Sequence, residues 1–235
     1  MMKVILDHLD DTAKNIKTFW FKPAAPLRYT AGQFIELTLP HDNPDKRGTK
    51  HWFTLSSSPT EELLSITTKH ASENGSTFKA TLFGLEIGSE VTMSEPMGDF
   101  VLPKDTSIPL VFIAGGIGVT PIRSMIKWLH DTQEHRTVHL LYAAATIEDV
   151  AFRELFDMYG APTDIILTEA PAGWTGHTGR LDAAKILEIA PNVDNKLYYL
   201  SGPEPMVEAI EKDLKNQGVN KRNIVGDFFL NYSAI

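Results

Sequence analysis

The sequence predicts two domains, an antiparallel β-barrel followed by an α/β domain built on a parallel sheet. Three observations predict this. Residues 1–100 carry short segments rich in β-branched and aromatic residues (VILDHL, IKTFWF, QFIELTL, HWFTLSS, LLSITTK, EVTMSEP), parted by turn formers such as HDNPDKRG. After LPKDTSIP, apolar runs (LVFIA, VHLLYAA, TDIILT, LYYLSG) alternate with helix-like segments, the pattern of βαβ units. The first of those runs leads into a glycine turn, LVFIAGGIGVTP at 110–121. The change of pattern divides the chain into 1–102 and 103–235.

Each element has its own justification. The first six segments have strand length and alternating polar faces, which suits a small barrel. A helical stretch beginning near Ser76 interrupts them. In the second half, Ile122, Met125, Ile126 and Leu129 recur at helical spacing, so one face of that helix packs on the sheet. Met206, Ala209, Ile210 and Leu214 do the same in a later helix. Thr120 reads as an N-cap and Pro121 as a first helical residue.

Gly115, Gly116 and Gly118 thus lie between a buried strand and a helix N-terminus. Glycine lets a backbone approach a diphosphate, and the helix end aims free N–H groups at it. The spacing is not G-x-G-x-x-G, and no acidic residue stands plainly about 20 residues on. Taken alone, the stretch reads equally as a phosphate turn or as strand-to-helix punctuation.

Composition narrows the chemistry. The 235 residues carry a formal charge of −8, which argues against nucleic acid as a partner. There is no cysteine, so thiolate catalysis, disulfides and cysteine-held zinc or iron–sulfur clusters are excluded for this chain. Electrons moving through it would need an organic cofactor. MMKVILDHLDD turns acidic too early for a signal peptide, and a cytoplasmic protein is expected. His135 and His139 have the spacing of a helical metal pair, but TVHLLYA reads as a strand and no metal site is expected. No G-x-S-x-G elbow or Walker lysine loop is present.

The order of motifs resembles the ferredoxin–NADP reductase-like flavoprotein family along essentially the whole chain. AGQF (31–34) is similar to its barrel motif, and HWFTLSSSP (51–59) to its flavin motif Arg-x-Tyr-Ser/Thr-x-x-Ser. NGSTFKATL (74–82) resembles its pyrophosphate segment, and EPMGDF (95–100) its Gly-Pro-x-Gly-x-Phe. AGGIGVTP resembles its NAD(P)H diphosphate loop, and SGPEPM (201–206) its Cys-Gly-Pro-x-x-Met nicotinamide loop.

The resemblance implies a Greek-key FAD-binding barrel, an NAD(P)-binding α/β domain, and hydride transfer from NADH or NADPH to FAD between them. Thr54 would stand beside the reactive flavin nitrogen, and Ser201 beside the nicotinamide. His51, Trp52, Phe53, Ser57, Thr68 and Lys69 would contact the flavin, with Gly75, Ser76 and Thr77 at its diphosphate. Gly115, Gly116, Gly118, Val119, Thr120, Gly202 and Pro203 would hold the dinucleotide, Pro203 also starting the next helix. From DFFLNY, Phe229 would cover the flavin face, with Phe228 and Tyr232 as alternatives.

This chain departs from the pattern at His51, Phe53 and Ser201, where the family has arginine, tyrosine and cysteine. Losing the arginine removes a permanent cation and its fork of donors; Arg47 and Lys50 lie near enough in sequence to compensate. In YAAATIEDVAF, Ala145 replaces an arginine that relatives use for the NADPH phosphate, and Glu148 and Asp149 would repel it, favouring NADH. Arg153, His177 or Arg180 would be the other sources of positive charge. The acceptor would be ferredoxin, flavodoxin or a membrane partner. The competing class is a non-catalytic flavin- or nucleotide-binding electron-transfer subunit.

Overall fold

A computed structural model of the chain describes residues 1–70, 75–190 and 193–229, the last two of these by backbone alone. The first sheet comprises β1 (Met2–Ala13), β2 (Ile16–Pro23), β3 (Phe34–Thr38), β4 (Lys50–Thr54), β5 (Leu64–Lys69) and β6 (Glu90–Met93). Its order is β4-β3-β6-β1-β2-β5 with every pair antiparallel. The edges meet: a bridge joins Leu55 to Ile66, and Ser56 N donates to Ser65 O at 2.8 Å. The sheet therefore closes as the sequence pattern predicts, and closure removes the exposed edges.

Alternation along these strands sends Val4, Leu6, Phe19, Phe21, Ile35, Leu37 and Ile66 inward, all at 0 % exposure. Helix α1 (Thr77–Phe83) plugs one end with Phe78 and Leu82. Ser76 is its N-cap, accepting from Lys79 N at 3.0 Å.

The second sheet comprises β7 (Leu110–Gly115), β8 (Val138–Ala144), β9 (Thr163–Leu167), β10 (His177–Thr178), β11 (Leu197–Pro203) and β12 (Ile224–Phe229). All its pairs are parallel, in the order β10-β9-β8-β7-β11-β12. Helices α2 (Thr120–Thr132), α3 (Arg153–Met158), α4 (Ala183–Ile189) and α5 (Glu204–Asn216) connect the strands. On α2 the residues Ile122, Met125, Ile126 and Leu129 are buried as their spacing requires; on α5 the buried face is Val207, Ile210 and Leu214. His139 lies within β8, so its sequence distance from His135 has no helical meaning.

The chain starts this sheet in the middle, builds outward through β8, β9 and β10, and then crosses to β11 and β12. Strand order thus reverses between β7 and β11, and the crevice beyond their C-terminal ends is where open α/β sheets take ligands.

Two local expectations need correction. Thr120 is not the N-cap of α2. Gly116–Val119 already coil as a 3-10 turn, Val119 caps with helical backbone angles, and Thr120 Oγ1 donates to Ile117 O at 3.2 Å. Pro203 ends β11 and does not open α5, because its backbone is still extended; the helix starts at Glu204 with Pro205 in its first turn.

Candidate functional site

The glycine turn and the 201–203 turn lock together at the crevice. A Cβ on Gly118 would strike the backbone of Ser201 and Gly202, and one on Gly115 would strike the Met206 side chain. These two glycines are needed for packing between turns. Gly116 is different: its φ is +52°, and nothing lies within 4 Å of where a Cβ would project. It is the member of the cluster that offers open backbone to a ligand. Val119 and Thr120 are buried.

Ser201 pairs with Ala114 on one side and Asp227 on the other. It is fully buried, and its hydroxyl has no hydrogen-bond partner among the described residues. Gly202 and Pro203 run beside Phe228 and Phe229 of β12, whose side chains lie outside the described residues, as does Tyr232.

In the barrel, β4 presents the flavin-like motif. Register with β3 sets His51 opposite Leu37 and Phe53 opposite Ile35 on the inner face. Both rings approach Phe78, at 4.3 Å for His51 and 5.9 Å for Phe53. Trp52, on the opposite face, is 59 % exposed and leans on Phe34 at 5.9 Å. Thr54 is buried opposite Phe34 at the strand end. The Nε2 atom of His51 is buried without a partner among the described residues. Burial foremost, then Lys79, pushes the imidazole below its ordinary pKa, so it is neutral at pH 7.

The diphosphate-like segment is already engaged by the chain itself. Gly75 O accepts from Arg47 at 3.0 Å, and Thr77 N donates to Asp45 Oδ2 at 3.0 Å. Thr77 Oγ1 accepts from Asp45 N at 3.0 Å and meets His41 Nε2 at 2.9 Å. Because His41 Nδ1 must donate to Leu39 O at 2.8 Å, its Nε2 accepts from that hydroxyl. The Arg47 guanidinium, with backbone N–H groups of Thr77 and Arg47, holds the Asp45 carboxyl far below the usual range. Asp45 thus puts a carboxylate at the first turn of α1. Sequence reasoning missed it, because HDNPDKRG signals a turn and nothing about where its carboxylates point.

Ser57 is engaged within the chain. It is fully buried, its hydroxyl meets Tyr29 OH at 2.8 Å and accepts from Ser65 N at 2.9 Å, and its carbonyl accepts from Ser124 Oγ at 2.5 Å. Thr68 is likewise buried, and Lys69 Nζ binds Asp149 Oδ1 at 2.9 Å. Ser57 and Lys69 belong to the seam between the two sheets. Across the same seam Lys14 N donates to Glu148 O at 2.8 Å, and Arg123 pairs with Glu61. Arg123 was also missed; its only sequence signal is an arginine inside an apolar helix face.

The second βα turn is organised by its own acid. Asp149 accepts from Thr146 Oγ1 at 2.9 Å and turns its other oxygen to Lys69, leaving Ala145 and Glu148 exposed. Arg153 and Arg180 are exposed, while His177 lies 3.3 Å from Asp164, which also holds His139 at 2.6 Å. No cluster that could hold a metal occurs among the described residues.

The structure is thus a closed antiparallel barrel joined to a parallel sheet with a glycine turn at its switch point. The family description "Oxidoreductase NAD-binding domain" matches residues 112–212. A flavohemoprotein of Oceanobacillus iheyensis is 29 % identical over 229 residues, covering 92 % of this chain and 56 % of that protein. A glycine betaine monooxygenase reductase subunit of Chromohalobacter salexigens is 29 % identical over 215 residues, covering 87 % and 57 %. The flavohem-like FAD/NAD-binding domain of a Vibrio cholerae nitric oxide dioxygenase superposes with a TM-score of 0.82 at 21 % identity, covering 97 % of this chain and 98 % of that one. The chain is thus similar along most of its length to flavoprotein reductases, and its second half matches an oxidoreductase NAD-binding domain. It spans little more than half the length of the two curated relatives.

Proposed function

We propose that the chain is an FAD-dependent NAD(P)H oxidoreductase, with 1–102 as the flavin domain and 103–235 as the dinucleotide domain. The carrying observation is that three features await a ligand at the positions this reading requires. Gly116 opens its backbone to free space, while Ser201 Oγ and His51 Nε2 are buried polar atoms without partners among the described residues. A buried polar atom without a partner is costly, and a ligand that supplies one recovers that cost. When bound, FAD would take a hydride from NAD(P)H and release electrons to an acceptor.

The chain's residues bind, orient and exclude water. Gly116 admits the dinucleotide diphosphate, with the 3-10 turn presenting backbone N–H groups. Ser201 positions the nicotinamide, and Thr54 holds the flavin edge at the end of β4. Phe53 supports the flavin from the barrel end. Near His51, Lys79 and Arg47 supply positive charge that the imidazole lacks, and His51 Nε2 offers a neutral polar contact. Phe229 on β12 would cover the other flavin face.

The dinucleotide is NADH in this reading, since Ala145 offers no cation and Glu148 stands exposed beside it. The acceptor is a haem, an iron–sulfur protein such as ferredoxin, a flavodoxin, an oxygenase component or a membrane partner. A net charge of −8 repels acidic carriers, so one of those would need a local basic patch, such as Lys215, Lys221 and Arg222. The setting is cytoplasmic in this reading; no helix among the described residues is long and apolar enough to cross a membrane.

The test is simple. The purified chain with added FAD is expected to be yellow, and NADH added without oxygen is expected to bleach it faster than NADPH does. A chain that takes up no FAD overturns the reductase reading. A yellow chain that neither nucleotide bleaches favours the electron-transfer subunit, which the replacements at His51, Phe53 and Ser201 motivate.

A further inference from the structure

Arg123 stands in the first turn of α2, directly after the glycine turn, and is 5 % exposed. Its Nη1 donates to Ser56 O at 2.9 Å and pairs with Glu61, while Nη2 donates to Glu61 Oε1 at 2.9 Å. The guanidinium lies over Trp20 of β2 at 5.6 Å and over Phe152, which precedes α3, at 5.7 Å. One cation therefore binds Ser56 and Glu61 of the first domain through its fork and lies against Trp20 of that domain and Phe152 of its own. Beside it, Ser124 Oγ donates to Ser57 O at 2.5 Å. At the other end of α2, Asp131 takes Thr60 Oγ1 and Lys127 Nζ, the latter at 2.6 Å.

This seam joins two short levers. Ser56 follows closely on Thr54, the end of the strand that would carry the flavin, and Arg123 follows closely on Gly116–Val119, the turn that would carry the dinucleotide. We propose that Arg123 is a positioning residue: by binding the Ser56–Glu61 segment to the first turn of α2, it fixes the separation and angle between the two cofactor seats. This rests on the flavin reading given above. The fork explains the residue type, since a lysine ammonium is a point charge that cannot reach Ser56 O and both Glu61 oxygens in one plane. Phe152 supports this role: it holds φ +61°, rare for a bulky side chain, with its ring against the guanidinium. Arg123 Nε is buried without a partner among the described residues, so the guanidinium is oriented toward the seam at the expense of that donor.

The chain has no cysteine, so two introduced ones are the only thiols available for labelling. Exposed Glu86 and Lys212 lie in different domains, and Glu86→Cys with Lys212→Cys accepts a pair of spin labels. Electron–electron dipolar spectroscopy is expected to give one narrow distance distribution, broadened by Arg123→Met. In the same variant, FAD and NADH dissociation constants should stay within about threefold, while reduction of bound flavin at saturating NADH slows by tenfold or more. A stabilising residue alone would lower the melting temperature and leave that rate unchanged. If Arg123→Met does not fold, Ser124→Ala and Glu61→Gln are expected to give the same broadening in smaller measure. A narrow distribution with an unchanged rate overturns the proposal. If the unsubstituted chain binds no flavin, the flavin reading fails, and the distance distribution still decides whether Arg123 sets domain orientation.

Discussion

Gly118 packs against the backbone of Ser201 so tightly that a Cβ on it would sit closer than 3.0 Å to three backbone atoms of the 201–202 turn. The glycine turn and the 201–202 turn of the second sheet are therefore one packed unit. Gly118→Ala is expected to destabilise the chain by about 2 kcal/mol or more through overpacking against backbone that cannot move aside. Gly116→Ala meets open space but keeps φ +52°, so its stability cost should be about 1 kcal/mol, with a larger effect on NADH binding. Denaturant midpoints and NADH titration of the two variants separate packing from ligand approach. Equal effects on both measurements would refute the division.

Lys79 is expected to matter more than His51 for flavin retention. Lys79→Met should weaken FAD binding by about tenfold, the range of one charge-assisted contact to phosphate. His51→Arg should tighten binding in that background more than in the unsubstituted chain, where its cation would crowd Lys79 and Arg47. Fluorescence titration with FAD measures the parent, both single variants and the double variant. Equal affinity in Lys79→Met and the parent would show that Lys79 has no part in it.

His51 is expected to titrate below the ordinary histidine value of about 6.5. A folded pKa below the unfolded one means that stability from the neutral ring is complete above about 6.5 and declines as pH falls through the folded value. Proton NMR of the imidazole gives the value directly. A midpoint at or above 6.5 would contradict the burial seen here.

The Lys69–Asp149 pair ties the second βα turn to the barrel. Burial pushes the Asp149 carboxyl up, but hydrogen bonds from Lys69 and Thr146 outweigh it and hold the group below its usual range. Its contribution is thus present above about pH 4 and lost as pH falls through the depressed value. Lys69 is 44 % exposed, so Asp149→Asn should cost only about 1 kcal/mol. Urea unfolding of both proteins at pH 7 and pH 3 is expected to show a larger difference at the higher pH.

The barrel and the sheet were legible because strand alternation and helical spacing are local signals. All six barrel segments and the four long runs of the second half fall on observed strands. The two-residue β10 carries too little pattern to be read. Glycine positions were legible too, but their division of labour was not: φ and neighbouring atoms separate Gly116 from Gly115 and Gly118, and neither is written in spacing. Asp45 and Arg123 were missed, and the internal partners of Ser57 and Lys69 were not foreseen, for one reason. Each acts across a distance of many residues, where hydrogen bonding depends on how two domains meet.

The hydroxyl of Ser201, buried without a hydrogen-bond partner among the described residues, sets the proposed nicotinamide role against folding. In the ligand-free chain, a buried donor with nothing to bind costs about 1–3 kcal/mol, so Ser201→Ala should raise the denaturant midpoint. Serine at this position is thus a less stable choice than alanine for the empty fold, and selection for a more heat-resistant chain is expected to favour its replacement.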